Sequence, residues 1–204
     1  DAYVNALAEV QSLIGRAGVV VDRIDVGGGF PSIYPNMQPA PLKRFLAAIE
    51  EGVNRLPVRE DVRLMCEPGR ALVAEAETLI VRVVARRGND LFINDGGYGV
   101  LFDAAHLGWT YPARLIGREP VGDQLIPYEL WGPTCDSIDH MKGPFPLADC
   151  IREGDYLEIG NVGAYGRAIA GDFNGYGKYD EAILDDEPMM SLYGETDAPE
   201  ALLG

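Results

Sequence analysis

The chain has 204 residues, 47% hydrophobic and 24% charged, with a mean hydropathy of −0.04, which excludes a disordered protein. Seventeen basic residues against 32 acidic ones give a formal charge of −15, so the surface repels a phosphate backbone and nucleic acid is a poor partner. No apolar run approaches the ~18 residues of a membrane span, and no basic-then-apolar signal pattern opens the chain. Three cysteines, Cys66, Cys135 and Cys150, sit at no metal-ligand spacing, which argues against a disulfide scaffold or a bound metal and for a reducing, cytoplasmic setting.

Over Ala2–Ala17 the residues Val4, Leu7, Val10, Leu13, Ile14 and Ala17 recur at three and four, predicting an amphipathic helix that ends at Gly18. Residues 19–26 are β-branched and apolar apart from Asp22, Arg23 and Asp25, and they stop at consecutive glycines, as a parallel strand does. A Pro-, Asn- and Tyr-rich loop over 31–41 leads to a second helical stripe, Leu42, Phe45, Leu46, Ile49 and Val53. Residues 62–66 then supply a second short strand closed by Pro68 and Gly69. Helix, strand, helix, strand is the order of parallel α/β architecture, whose functional loops follow the C-terminal ends of the strands.

The period then changes to two, with Leu79, Val81, Val83 and Ala85 alternating with Thr78, Ile80, Arg82 and Val84, so antiparallel β structure is expected. Further strands are predicted over 91–94, Ala113–Ile116, Leu125–Trp131 and Tyr156–Ile159. These readings divide the chain into an α/β part over 1–76, a β-rich domain over 77–178 and a tail over 179–204. The tail has eight acidic residues and no basic one, and is expected to run solvated over the surface. Two helix and strand pairs cannot close a barrel, and an open two-stranded parallel sheet leaves both faces wet, so a C-terminal part of a longer protein is expected.

Four motifs carry chemistry. Gly27-Gly28-Gly29-Phe30-Pro31 ends the first strand and is either a phosphate cradle or simply a tight turn. Glu67-Pro68-Gly69-Arg70 ends the second; its carboxylate and guanidinium suit a protonated ring nitrogen and a phosphate, or else one another. Gly132-Pro133-Thr134-Cys135-Asp136-Ser137-Ile138-Asp139 sets a thiol beside a carboxylate, a proton donor next to a group that can hold an ammonium, although a lone cysteine is more often a small buried hydrophobe. Gly163-Ala164-Tyr165 offers a phenol to a phosphate or to the core.

In this order, together with Asn94-Asp95-Gly96-Gly97-Tyr98-Gly99 and Phe173-Asn174-Gly175, the motifs resemble the C-terminal half of the fold-type III pyridoxal-phosphate decarboxylases, the family of ornithine, diaminopimelate and arginine decarboxylases. The resemblance runs to about Gly177. It implies the last strands and helices of an alanine-racemase-like (β/α)8 barrel followed by a β-rich domain. It also implies pyridoxal 5'-phosphate held by Gly27, Gly28, Gly29, Gly69, Arg70 and Tyr165, with Glu67 on the pyridine nitrogen. Cys135 becomes the catalytic proton donor to the carbon that loses carbon dioxide. Asp136, Asp103, Tyr98 and Phe173 become the substrate pocket, with Cys135 and Asp136 crossing a homodimer interface into the neighbour's site.

Departures from the family pattern bear on two points. The lysine that joins the cofactor lies on an early barrel strand in the family, and Lys43, Lys142 and Lys178 match no such motif, so the fragment alone is expected to be inactive. Phe102-Asp103 looks like the aromatic-Asp pair that grips the substrate amine, but it stands closer to Tyr98 than in the eukaryotic ornithine enzymes, and Asp103 is otherwise an exposed turn carboxylate. Cys-Asp-Ser at 135–137 fits diamine-forming enzymes, making L-ornithine to putrescine the leading activity. Diaminopimelate, lysine or arginine decarboxylation and an inactive antizyme-inhibitor-like regulator are the alternatives.

Overall fold

A computed structural model of the chain describes residues 2–120, 122 and 124–192. It falls into two compact units. Unit 1 takes in residues up to 32 and 38–72, and unit 2 takes in 33–37 and 73–191.

Unit 1 holds the helices α1 (Ala2–Ala17) and α2 (Leu42–Val53) and two parallel strands, β1 (Arg23–Asp25) and β2 (Arg63–Met65), in register Arg23 to Arg63. Leu7 and Ile14 of α1 pack with Ile24 of β1 and Leu56, while Ile49 of α2 packs with Phe30 and Ala71. The helices form where the apolar stripe predicts them. The first strand is shorter than the 19–26 run, because Val19 and Val20 are exposed and the register with β2 runs only over Arg23, Ile24 and Asp25. All of β2 is exposed, with Leu64 and Met65 each at 49%, so this parallel sheet lacks the two-sided cover such sheets normally have. A short helix, α3 (Gly69–Val73), follows.

Unit 2 is built on a six-stranded sheet of β3 (Leu79–Arg87), β4 (Asp90–Ile93), β5 (Ala113–Ile116), β6 (Leu125–Trp131), β7 (His140–Ala148) and β8 (Tyr156–Ile159), in the order β5-β8-β3-β4-β6-β7. Its core gathers Val81, Val83, Leu91, Ile93, Leu130, Phe145, Leu157 and Ile159, each at most 1% exposed. The period-two pattern of β3 survives as alternating buried and exposed residues up to a bulge between Val83 and Ala85.

The sheet corrects the antiparallel expectation at one place, because β4 and β6 pair in parallel, Asp90 opposite Glu129. It is a mixed sheet. The short helices had no forecast, among them α4 (Phe102–His106), and neither had the edge strand β7, in which Pro144 and Pro146 break the usual strand signature. Proline is tolerated there because an edge strand has one side without ladder partners. A last short helix, α5 (Gly166–Ile169), follows the Gly163-Ala164-Tyr165 motif.

Residues 180–187 are exposed as the charge pattern suggests, but the segment is anchored at both ends. The Tyr179 hydroxyl donates to Asp95 (3.3 Å), and Asn161 Nδ2 donates to the Met190 carbonyl (3.0 Å). Residues 193–204 of the expected tail lie outside the described residues. Among the described residues no helix is long and apolar enough to cross a membrane.

Candidate active site

In unit 1 the pairing of β1 with β2 brings the first two motifs side by side at the C-terminal ends of the strands. The Glu67 N–H donates to the Gly27 carbonyl (2.8 Å), and a Cβ on Gly28 would fall 2.8 Å from the Glu67 carbonyl oxygen. Gly27 and Gly29 take φ of 70° and 88°, which L side chains adopt only under strain. Gly27 also donates to the Asp25 carboxylate (2.9 Å), so this glycine shapes the turn with both its backbone groups engaged. Tyr3 of α1 donates its hydroxyl to the Gly28 carbonyl. Glu67 is exposed; Arg70 lies one residue inside α3 and is half-buried.

Unit 2 gathers the third motif with two loops. The Tyr98 hydroxyl donates to Asp136 Oδ2 at 2.6 Å, and the other carboxylate oxygen of Asp136 accepts the Ile138 N–H (3.1 Å). Tyr98 stacks on Phe173 with ring centroids 4.5 Å apart and meets His106 edge-on at 6.4 Å. Asn174, next to Phe173 and itself at φ 56°, donates its amide to the Cys135 sulfur at 3.8 Å. Cys135 is exposed. Tyr98, Cys135, Asp136 and Phe173, which lie up to 75 positions apart in the chain, thus form one surface cluster.

The electrostatics of the pair agree in direction. Its bond to Asp136, with burial and the nearby charges of Asp136, Asp139 and Cys135, pushes the Tyr98 phenol up to about 12. The same bond, with the Ile138 N–H, holds the Asp136 carboxyl below its ordinary value. Both shifts keep a neutral phenol donating to an ionised carboxylate, a pair able to receive a cationic amine.

Asp103 is not the exposed turn carboxylate that was its alternative reading: it lies in the first turn of α4 at 5% exposure. Tyr165 caps α5 in the left-handed region, φ 64°, and is 54% exposed, so its phenol is not a core group. It follows Gly163, whose N–H donates to the Ala74 carbonyl (3.0 Å) and where a Cβ would lie 1.9 Å from the Val73 carbonyl oxygen.

A family model described as "pyridoxal-dependent decarboxylase, C-terminal sheet domain" matches residues 11–163. The chain belongs to the pyridoxal-dependent decarboxylase family. Its similar relatives include an antizyme inhibitor 2 of Xenopus laevis, 30% identical over 86% of this chain and 42% of that protein. They also include an ornithine decarboxylase of Mus musculus, 29% identical over 94% of this chain and 46% of that protein, and a diaminopimelate decarboxylase of Actinosynnema pretiosum subsp. auranticum, 34% identical over 86% and 41%. Among solved structures, the lysine/ornithine decarboxylase of Vibrio vulnificus complexed with cadaverine superposes with a TM-score of 0.68 at 34% identity, over 85% of this chain and 47% of that one. The chain therefore spans a little under half the length of the relatives it matches.

The unit 1 rim has the donor chemistry that a pyridoxal-dependent decarboxylase needs for a phosphorylated pyridine: a glycine turn too tight for a side chain, a guanidinium and a carboxylate. Two buried carboxylates beside the cluster were singled out by no sequence argument. Asp139 is 1% exposed, and Asp95 is 6% exposed, accepts the Val100 N–H (3.2 Å) and has its carboxyl pushed up chiefly by burial. The signal that marks them is the glycine beside each. A Cβ on Gly99 would sit 1.7 Å from the Asp95 carboxylate, and one on Gly96 or Gly132 would sit 2.1 Å from that of Asp139.

Proposed function

We propose that this chain is the C-terminal portion of a homodimeric pyridoxal-phosphate-dependent decarboxylase of basic amino acids, acting best on L-ornithine to give putrescine. The observation that carries the reading is the Tyr98–Asp136 pair with Cys135 beside it. An ionised carboxylate bonded to a phenol recognises the distal ammonium of a diamino acid, and a thiol on the neighbouring residue is a proton donor within the same pocket. In this reading the partly covered β1–β2 sheet is completed by further strands of a (β/α)8 barrel, and unit 2 is the family's β domain.

Gly27, Gly28, Gly29, Gly69, Arg70 and Tyr165 hold the cofactor's phosphate, and Glu67 holds its ring nitrogen in the protonated form. The bound cofactor supplies an electron sink for the bond that loses carbon dioxide. This chain's residues do the rest: Asp136 and Tyr98 orient the amine, Phe173 excludes water from their side of the pocket, and Cys135 delivers the proton. Asp103 is the further carboxylate for the amine. The deciding experiment measures carbon dioxide release by the full-length protein from ornithine, lysine, arginine and diaminopimelate. Ornithine is expected to be fastest, and a fastest rate on diaminopimelate rejects the substrate assignment.

The similarity to an antizyme inhibitor favours a second reading, a non-catalytic regulator that binds another protein. Retention of Glu67, Arg70, Cys135 and Asp136 supports the enzyme, since a pure binder needs no proton donor next to an amine site. The two readings part on the full-length protein: visible absorption from bound cofactor together with carbon dioxide release supports the enzyme, and the absence of both supports the regulator.

A further inference from the structure

We infer that Asp139 is a positioning residue that sets the distance between the loop carrying Tyr98 and the loop carrying Cys135 and Asp136. Its carboxylate joins the two. Oδ1 accepts the Gly97 N–H at 2.7 Å, one residue before Tyr98. Oδ2 accepts both the N–H (3.1 Å) and the hydroxyl (2.8 Å) of Thr134, one residue before Cys135. The Asp139 backbone closes its own loop as well, its carbonyl accepting from Gly132 (2.9 Å) and its N–H donating to the Asp136 carbonyl (3.1 Å).

The space around the carboxylate is cut to fit. Gly96 approaches from one loop and Gly132 from the other, each so close that a Cβ would overlap the carboxylate, and the residue is 1% exposed. A buried carboxylate with three donors has little freedom to move, so the loops that supply those donors are fixed relative to each other. Neither loop contacts the other through a strand ladder at this point, since β4 has ended at Ile93 and β6 at Trp131. The Tyr98–Asp136 bond spans the same gap on the exposed side, but it lies where the substrate amine must enter, whereas the Asp139 link stays in place when the amine binds. The inference rests on the proposed role of this pocket in holding an amine and moving a proton.

A purely structural carboxylate and a positioning one differ in what their loss changes. The test compares Thr134→Val, which removes one donor and keeps the side-chain shape, and Asp139→Asn, which turns one acceptor into a donor facing the Thr134 N–H, in the full-length protein. Read in parallel are KM, the share of turnovers ending in a transamination by-product, retention of the cofactor, and amide hydrogen exchange over 94–100 and 132–139. The expected result is a rise in KM of about tenfold, the scale of one lost charge-assisted bond, with more by-product, cofactor retention unchanged, and faster exchange in both loops together. Parent KM and product ratio in a folded Thr134→Val protein, with any exchange change confined to 132–139, overturn the inference, and this holds even where Asp139→Asn does not fold. Cys135→Ala run alongside separates the two claims. If it forms no by-product, the proton-donor role fails, while the positioning role is still decided by KM and by the exchange of the two loops.

Discussion

The bond from the Tyr98 hydroxyl to Asp136 moves both groups away from titration at neutral pH. Tyr98, raised to about 12, contributes stability that is whole below its ordinary value of 10.0 and is lost as pH climbs through the raised one. Asp136, lowered from 3.8, contributes stability that is whole above that value and is lost as pH falls through the lowered one. The pair is therefore intact between these limits. Removing the hydroxyl removes the first cause of the Asp136 shift, so Tyr98→Phe moves the acid limb of the kcat/KM profile to higher pH. An acid limb that stays in place separates Asp136 from substrate binding. A second residue-scale prediction concerns Cys135. Cys135→Ala spares cofactor retention but slows turnover and diverts part of it to a transamination by-product, because the proton donor is lost while the unit 1 contacts remain; product analysis by chromatography checks it.

At the scale of elements, the joint between Gly163 and the Val73–Ala74 backbone holds the segment leading to Tyr165 against the start of unit 2. Gly163→Ala places a methyl 1.9 Å from the Val73 carbonyl oxygen, a backbone atom that moves only with its chain. The expected cost is about 1–3 kcal/mol or more, which lowers the thermal midpoint by several degrees. A midpoint within a degree of the parent shows that the backbone yields there. Elements with a strong local signal were legible before folding. The stripe from Val4 to Ala17 and the alternation from Leu79 to Ala85 are each set by a period that only one secondary structure satisfies. Strand β7 was illegible because Pro144 and Pro146 remove local strand preference, and it pairs nonetheless because β6 offers partners on both sides of a register shift, Leu125–Tyr128 opposite Ala148–Phe145 and Leu130 and Trp131 opposite Met141 and His140. Helix α4 has five residues, too few to show a helical period.

For the whole molecule, the proposal divides each active site between chains, with Cys135 and Asp136 from one subunit and Glu67 and Arg70 from another. Mixing a full-length Cys135→Ala chain with one inactivated at its cofactor lysine then restores about one intact site per mixed dimer. Activity that stays at background although subunits demonstrably exchange places Cys135 in its own chain's site. Arg70→Ala separates the units in another way. It weakens retention of the cofactor by the roughly 1.5–3 kcal/mol of a charge-assisted contact, measured by dialysis and absorbance, and it leaves the Tyr98–Asp136 pair of unit 2 untouched.

The sequence by itself determined the order of elements, the change of period after residue 77 and the identity of the motifs, because each depends on neighbours within a few residues. Resemblance led to the expectation that Tyr98, Cys135, Asp136 and Phe173 share one pocket, an expectation that nothing local could supply, since nothing local links positions 98 and 173. Tertiary structure alone decided that Phe173 stacks on Tyr98, that β4 and β6 run parallel, and that Asp103 is buried rather than exposed. Asp139 was the residue furthest from local reach. A carboxylate becomes a clamp only when two loops from different strands converge on it, and that convergence is set by the pairing of β4 with β6.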